Sequence, residues 1–486
     1  MRIALVNPVA RRSEGYHTIG TQIPQLGLQV LARLVPKEHQ VDIIDEVFGV
    51  GQTLQMLMSG KYDLVGMTGY TSGATRAYEL ASLCRSRKIP CVMGGPHASA
   101  VPDEAQQHFD SVAVGECDEI WPGIIADVQA GRLQRRYEGR MADLSRNLGR
   151  AAQDAQPING QYDVGCIQTS RGCPVGCDYC SVTRFSGQEI RRRPIEDILE
   201  EWNSTDKRFL FVVDDNFYGV GPKHAEWAKQ LLREIIRRGK KRLWFSQTTV
   251  NMGSDLEGLR LAYKAGCRGM LVGLETFNVE SLKSYHKGLN TKLVGRYEEL
   301  VKGFHQAGLA VFGGFIIGAD EDTVDTVAET TLRAVQLGVD IIQVTNLTPL
   351  PGTRLYDRFL EEGRIFATDY PRDWERYTFI ETVYTPKGMS ARRLDHAIYE
   401  LRKAAAEEPW VWKRTLKTLW RTRSLTTALF VHGMNKGWAA MAKAQVPREA
   451  ERFRDVQVNA EWLKRLRQAF AFRCGPYKQS ADTPKN

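Results

Sequence analysis

The chain has 486 residues, 43% of them hydrophobic and 25% charged, and a net charge of +9. That composition fills a large core, excludes disordered, collagenous and fibrous chains, and at this length suits two to four domains. No apolar run reaches the roughly 20 residues that span a bilayer, and the opening MRIALVNPVARRSEG reads as a first strand rather than a signal peptide, so the expected location is the cytoplasm.

Residues 1–135 alternate between strands and helices. Strand-like runs fall at 2–7, 41–45, 64–68, 90–93 and 111–114, with helical spacing at 26–34, 52–58, 74–86, 103–108 and 119–129. Strict alternation implies a parallel sheet covered on both faces, with ligands at the carboxyl ends of its strands. The loops there read NPVARR, TGYTSG, GGPHAS and GECDE. Their glycines let a ligand come close to the backbone, and Thr68, Thr71 and Ser72 add hydroxyls. Such loops suit a large cofactor with a phosphate tail, and they equally suit plain tight turns.

Polar residues dominate 139–160, which reads as a linker. A second series follows, with strands at 164–169, 209–213, 243–248, 269–274, 309–317 and 339–346. Helices at 194–202, 223–238, 255–265, 292–307 and 323–337 separate them, several ending at a glycine. Six βα units predict a partial barrel, open on one side, with its site at the strand C-termini. Beyond residue 387 the pattern is mostly helical.

The nine cysteines are Cys84, Cys91, Cys117, Cys166, Cys173, Cys177, Cys180, Cys267 and Cys474. An odd count without a secretion signal argues against a disulfide framework. Cys173, Cys177 and Cys180 form a C-x3-C-x2-C loop, RGCPVGCDYCS, directly after the first strand of the second series. Three thiolates hold three irons of a cubane 4Fe–4S cluster and leave the fourth iron for a non-protein ligand. A zinc site needs a fourth ligand, and none sits nearby at zinc spacing. Cys166 and Cys267 read as core residues, and Cys117 as a residue that touches a cofactor.

This loop resembles that of the radical S-adenosylmethionine superfamily. The resemblance implies that S-adenosylmethionine chelates the fourth iron and that Tyr179, before the last cysteine, contacts its adenine. VVDDNF places Asp214, Asp215 and Asn216 where the family binds the methionine amino group, although the usual Gly-Gly-Glu is absent. By the same resemblance Gln247 ends the third barrel strand. Glu275, in GLET, faces the expected ribose. Gly314, Ile316, Gly318 and Glu321 fit a G-x-I-x-G-x-x-E pattern, and TPLPGT at 348–353 is similar to a motif of one large branch. That branch carries an N-terminal cobalamin-binding domain. Thr68, Tyr70, Thr71, Ser72, Gly94, Gly95, Pro96, His97, Gly115 and Glu116 look like its cofactor loops. The D-x-H-x-x-G signature is missing, so cobalamin is expected without a lower histidine ligand, and His97 is expected to support its loop or the nucleotide tail.

The expected fold class is α/β. Its parts are a doubly wound, Rossmann-like cobalamin domain (1–138), a linker (139–160), a TIM-type (β/α)6 radical barrel (161–386) and a helical basic C-terminal region (387–486). The expected cofactors are a 4Fe–4S cluster, S-adenosylmethionine and cobalamin. The implied activity is reductive cleavage of S-adenosylmethionine and methylation of an unactivated carbon in a lipid or other secondary-metabolite-type substrate. The alternatives are oxidative cyclisation or rearrangement with the same cofactors and, less favoured, tRNA methylthiolation. The last lacks its second three-cysteine cluster, and no nucleic acid is expected. No acid or base is assigned; Tyr218, Tyr70 and Glu116 read as structural. A flavodoxin or ferredoxin is the expected reductant.

Residues 409–478 hold fifteen Lys/Arg against four Asp/Glu, and five of the ten tryptophans. In 410–423, Trp412, Leu416, Leu419 and Trp420 share a helical face flanked by Lys413, Lys417 and Arg421. Such a helix lies on an anionic membrane, making the protein peripheral to its inner face, or packs on the barrel over the active site with its basic face in solvent. The packed arrangement is the expected one.

Overall fold

The computed structural model describes residues 1–9, 22–59, 61–146, 148–453, 456 and 460–471. Residues 10–12 of the NPVARR loop, Cys474 and the polar last residues lie outside the described residues.

Two parallel sheets carry the chain. The first holds β1 (Arg2–Asn7), β2 (Gln40–Asp45), β3 (Leu64–Thr68), β4 (Cys91–Gly94), β5 (Ser111–Val114) and β6 (Arg136–Glu138), in the order β2-β1-β3-β4-β5-β6. The order reverses between β1 and β3, which opens a crevice at their carboxyl ends. Parallel strands bury both faces, which explains the unbroken apolar run in β1. Ala4 and Val6 pack with Ala77 and Ala81 of the helix Ala74–Ser86, and Ile3 and Leu5 with Leu28 and Trp121 on the other side.

The second series opens with β7 (Gly165–Ile167). Two-residue strands β8 (Ser170–Arg171) and β9 (Arg191–Arg192) then pair as an antiparallel ribbon. β10 (Phe209–Val212), β11 (Leu243–Thr248), β12 (Cys267–Glu275), β13 (Ala310–Ile317) and β14 (Ile341–Asn346) complete a six-stranded parallel sheet, β14-β13-β12-β11-β10-β7. Its end strands are not paired to each other, so the barrel is open. Leu210, Val212 and Trp244 point to the outer helices. Phe209, Phe211 and Phe245 alternate with them and stack, with Phe211 and Phe245 4.3 Å apart and 3° from parallel. Phe430, from the helix Leu425–Arg452, packs 5.9 Å from both Phe209 and Phe245. That helix closes the barrel where the strands begin and leaves the carboxyl ends open.

Several elements differ from the sequence expectation. β6 and the β8–β9 ribbon were not expected, because two or three mostly polar residues carry no period. The helix Gly95–Ala100 replaces an expected loop. The 139–160 segment is held against both sheets. Asn159 Nδ2 donates to the Asp45 carbonyl of β2 at 2.7 Å, and Gln153 Nε2 donates to the Cys166 carbonyl of β7 at 2.6 Å.

Among the described residues four helices follow the barrel: Ala391–Ala405, Glu408–Thr422, Leu425–Arg452 and Ala460–Ala471. The second packs through Val411, Thr415, Thr418 and Thr422, while Trp412, Leu416 and Trp420 are exposed. This reverses the expected orientation. The threonines bond inward, Thr418 to the buried carboxylate of Asp340 at 2.5 Å, and the apolar face is left outside.

Candidate functional site

The cysteine loop runs from β8 to the short helix Ser181–Phe185. Gly172 has φ +97°, and its N–H donates to Asp215 Oδ2 at 2.7 Å. A Cβ there would lie 2.1 Å from the Glu189 carbonyl oxygen, so only glycine fits. The Cys173 amide donates to the Gly187 carbonyl at 3.1 Å and closes the loop. Asp178, inside the motif, braces it from outside: its Oδ1 accepts from Arg354 Nε at 2.6 Å, and its backbone bonds Tyr285 and Leu355 at 3.1 Å each. The Tyr179 ring meets Tyr285 edge-on at 5.3 Å.

Cys177 is buried, and Cys173 and Cys180 are half-buried. Burial pushes all three thiols up, Cys180 to about 12, and neighbouring sulfurs add to the rise at Cys177 and Cys180. The Lys287 ammonium pulls each of them partly back. Free thiolates are therefore disfavoured here, and ligation to a metal is what stabilises them. Among the described residues no three His, Cys, Asp or Glu side chains converge on one ion. Three thiols on one short loop suit a cluster of several irons.

Lys287 was not singled out by the sequence. It is buried in an ion pair with Glu275, and its Nζ lies 3.3 Å from Tyr179 Oη. Burial works against the ammonium, but Glu275 and the cysteine sulfurs outweigh it and raise its pKa. Glu275 ends β12 at φ +65°, a left-handed conformation that a non-glycine residue adopts at a cost. Tyr179, Glu275 and Lys287 are thus in one cluster, and Ile316 joins Tyr179 against Tyr285 and Leu347. Gly314 and Ile316 lie on the inward face of β13. Gly318 follows at φ +123°, where a Cβ would meet Tyr384 Oη at 2.3 Å. Asp322, not Glu321, accepts the Gly318 amide at 2.8 Å. Gln247 faces the lumen on β11. Asp214 is absorbed by Thr169 and Ser170, with the Thr169 amide at 2.6 Å, and Asp215 by the Gly172 amide. Burial raises the pKa of Asp215.

A cavity of about 480 Å³ lies between the two sheets. Its first wall comes from the carboxyl ends of β3, β4 and β5: Thr68, Tyr70, Gly94, Gly95, Pro96, Gly115, Glu116 and Cys117. Its second wall comes from the barrel: Gln168, Arg171, Phe211, Val213, Asp215 and the turn just after Cys180. Gly95 and Gly115 have φ +90° and +82°, and a Cβ on Gly115 would lie 2.3 Å from the Gly139 carbonyl oxygen. The cavity size and its bare backbone rim suit a large ligand.

Thr71, Ser72 and His97 are not in that wall. His97 is fully buried behind it, with Nε2 2.9 Å from Tyr78 Oη and its ring edge-on to Trp374 at 5.5 Å. Burial lowers its pKa. Its Nδ1 lies 3.4 Å from Thr71 Oγ1, so the ring touches the loop after β3. Glu116 and Asp118 form a buried clamp with the barrel, also unseen in the sequence. Arg171 donates to both at 2.8 Å, and Arg191 Nη1 donates to Glu116 at 3.0 Å. Tyr218 is tied to Asp255, and Cys166 and Cys267 are fully buried, as expected of structural residues.

The family model of the B12 binding domain matches residues 16–125, and that of the radical SAM superfamily matches residues 167–334. The bacteriochlorophyllide d C-8(2)-methyltransferase of Chlorobaculum tepidum is 28% identical over 86% of this chain and 93% of its own. The hopanoid C-2 methylase of Rhodopseudomonas palustris is 27% identical over 71% of this chain and 66% of its own. The solved structure of the radical S-adenosylmethionine methyltransferase TsrM from Kitasatospora setae, with cobalamin and a [4Fe-4S] cluster bound, superposes with a TM-score of 0.61. It is 20% identical and covers 74% of this chain and 78% of its own.

Proposed function

We propose that this chain, which belongs to the cobalamin-binding radical S-adenosylmethionine enzymes, methylates an unactivated carbon of a lipid or other secondary-metabolite-type small molecule. The observation that carries the reading is the single cavity bounded by the glycine loops on one side and by the turn after Cys180 on the other. Held on the barrel side next to it, the cluster and S-adenosylmethionine would supply a one-electron cleavage that makes a hydrogen-abstracting radical, and cobalamin within it a transferable methyl group.

The chain's own part is position and exclusion of water. Cys173, Cys177 and Cys180 would ligate the cluster, in a loop that Asp215 and Asp178 hold still. Tyr179, Gln247, Gly314, Ile316 and Gly318 would line the S-adenosylmethionine side, with Asp215 at its edge. Glu275 would reach the same ligand with its charge balanced by Lys287. Thr68, Tyr70, Gly94, Gly95, Pro96, Gly115 and Glu116 would contact cobalamin, while Thr71, Ser72 and His97 brace the loops behind them. Phe211, Val213 and Phe245 keep the lumen apolar, so a reactive intermediate meets few polar groups. The domain limits 1–138, 161–386 and 387–486, joined by 139–160, are part of this proposal. So are a low-potential electron donor such as a flavodoxin or ferredoxin, and membrane contact through the basic tail.

The test is anaerobic purification, reconstitution with iron and sulfide, addition of hydroxocobalamin, and desalting. About one cobalamin per chain is expected, followed by label transfer from S-adenosyl-[methyl-13C]methionine to a carbon of an extracted small molecule. Folded, cluster-loaded protein that keeps no cobalamin contradicts the proposal. Products without the label indicate cyclisation or rearrangement instead.

A further inference from the structure

The helix Glu408–Thr422 and the start of the helix Leu425–Arg452 form an antiparallel hairpin. Glu408 lies 3.8 Å from Lys443, and Thr415 bonds His432 Nδ1 at 3.1 Å. The hairpin's inner side is finished. Thr418 bonds Asp340, Thr427 Oγ1 donates to the Gly308 carbonyl at 2.7 Å, and Val431 is fully buried. Its outer side is not. Trp412, Leu416 and Trp420 are 54%, 62% and 79% exposed, and Leu425 and Leu429 are 62% and 59% exposed. Trp420 is the most exposed large hydrophobic side chain among the described residues. Single exposed leucines are ordinary, but five large apolar side chains on one ridge are not.

The ridge is set in positive charge. Residues 408–443 hold seven Lys/Arg and one acidic residue, and Arg423, Lys436 and Lys443 are exposed. No helix among the described residues is long and apolar enough to cross a membrane. We propose that this ridge docks on an anionic lipid bilayer, with Trp412, Leu416, Trp420, Leu425 and Leu429 at the headgroup boundary and the exposed Arg423, Lys436 and Lys443 facing anionic headgroups. Charge decides the occupant: a second copy would bring two basic rims together, whereas an anionic bilayer complements them. The long helix also turns Phe430, Met434 and Trp438 onto the barrel interior, against Phe312 and Ile341. One helix therefore has one face on the proposed bilayer and the other on the end of the barrel where the strands begin.

The test sediments full-length protein with phosphatidylcholine vesicles, with and without phosphatidylglycerol. Binding to the anionic vesicles, weakened by salt and accompanied by a blue shift of tryptophan emission, is the expected result. Leu416→Ser combined with Trp420→Ser should lower the bound fraction roughly tenfold or more while the melting temperature and cobalamin retention stay unchanged. Three outcomes overturn the proposal: no vesicle binding, equal binding of the double variant, or a dimer in sedimentation velocity that the double variant abolishes. Cobalamin retention is read separately, so failure of docking and failure of the methylase reading are distinguishable.

Discussion

The cysteine loop is built from one short stretch of chain, whereas the cavity beside it is built from two sheets far apart in sequence. Between residues 172 and 187 the loop closes on itself through the Cys173–Gly187 bond and is braced at Gly172 and Asp178. The cavity depends on how the first sheet sits on the barrel, and that seating runs through the buried clamp of Glu116 and Asp118 with Arg171 and Arg191. A local site tolerates movement of its neighbours. An assembled site fails when its interface slips.

Substitutions can separate the two. The largest effect is expected from Cys177→Ala, which removes a proposed cluster ligand and should drop bound iron from about four per chain to background. Cobalamin retention should persist, because no cavity wall is touched; loss of both would show that the sites are not separable. Arg171→Met attacks the other side. It leaves Glu116 and Asp118 buried with less compensation and should destabilise the protein by about 3–5 kcal/mol, read by chemical denaturation, with cobalamin retention failing first. A Glu116→Gln partner in a double-mutant cycle should recover part of that loss. Gly115→Ala is milder. It forces a Cβ towards the Gly139 carbonyl at a left-handed position, costs about 1–3 kcal/mol, and should weaken cobalamin binding without lowering iron content. The smallest effect is expected from His97→Gln. Since His97 points to Tyr78 behind the cavity, the EPR spectrum of bound cob(II)alamin should keep its line pattern.

The same contrast governs what the sequence reveals. Cys173, Cys177 and Cys180 are legible because their spacing is the site, and the strand ends at Thr68, Gly94 and Val114 because parallel strands are apolar runs closed by glycine. The clamp is not legible: Glu116 and Arg171 are 55 residues apart and carry no shared pattern. Lys287 escapes for the same reason, since only the fold brings it onto Glu275. The helix Glu408–Thr422 is a different case. Its period was correctly read, but the buried face proved to be Val411, Thr415, Thr418 and Thr422. Burial there is decided by hydrogen-bond partners such as Asp340 rather than by hydropathy. β6 and the β8–β9 ribbon are too short to show a period at all.

The most direct measurement is the EPR spectrum of cob(II)alamin in the reconstituted protein, with the cluster first oxidised and diamagnetic, then reduced and paramagnetic. If both groups face the one cavity between Gly115 and the turn after Cys180, reducing the cluster should broaden or split the cobalt signal. A cobalt signal unchanged while the cluster is fully reduced would contradict the shared cavity, and with it the proposed methylation.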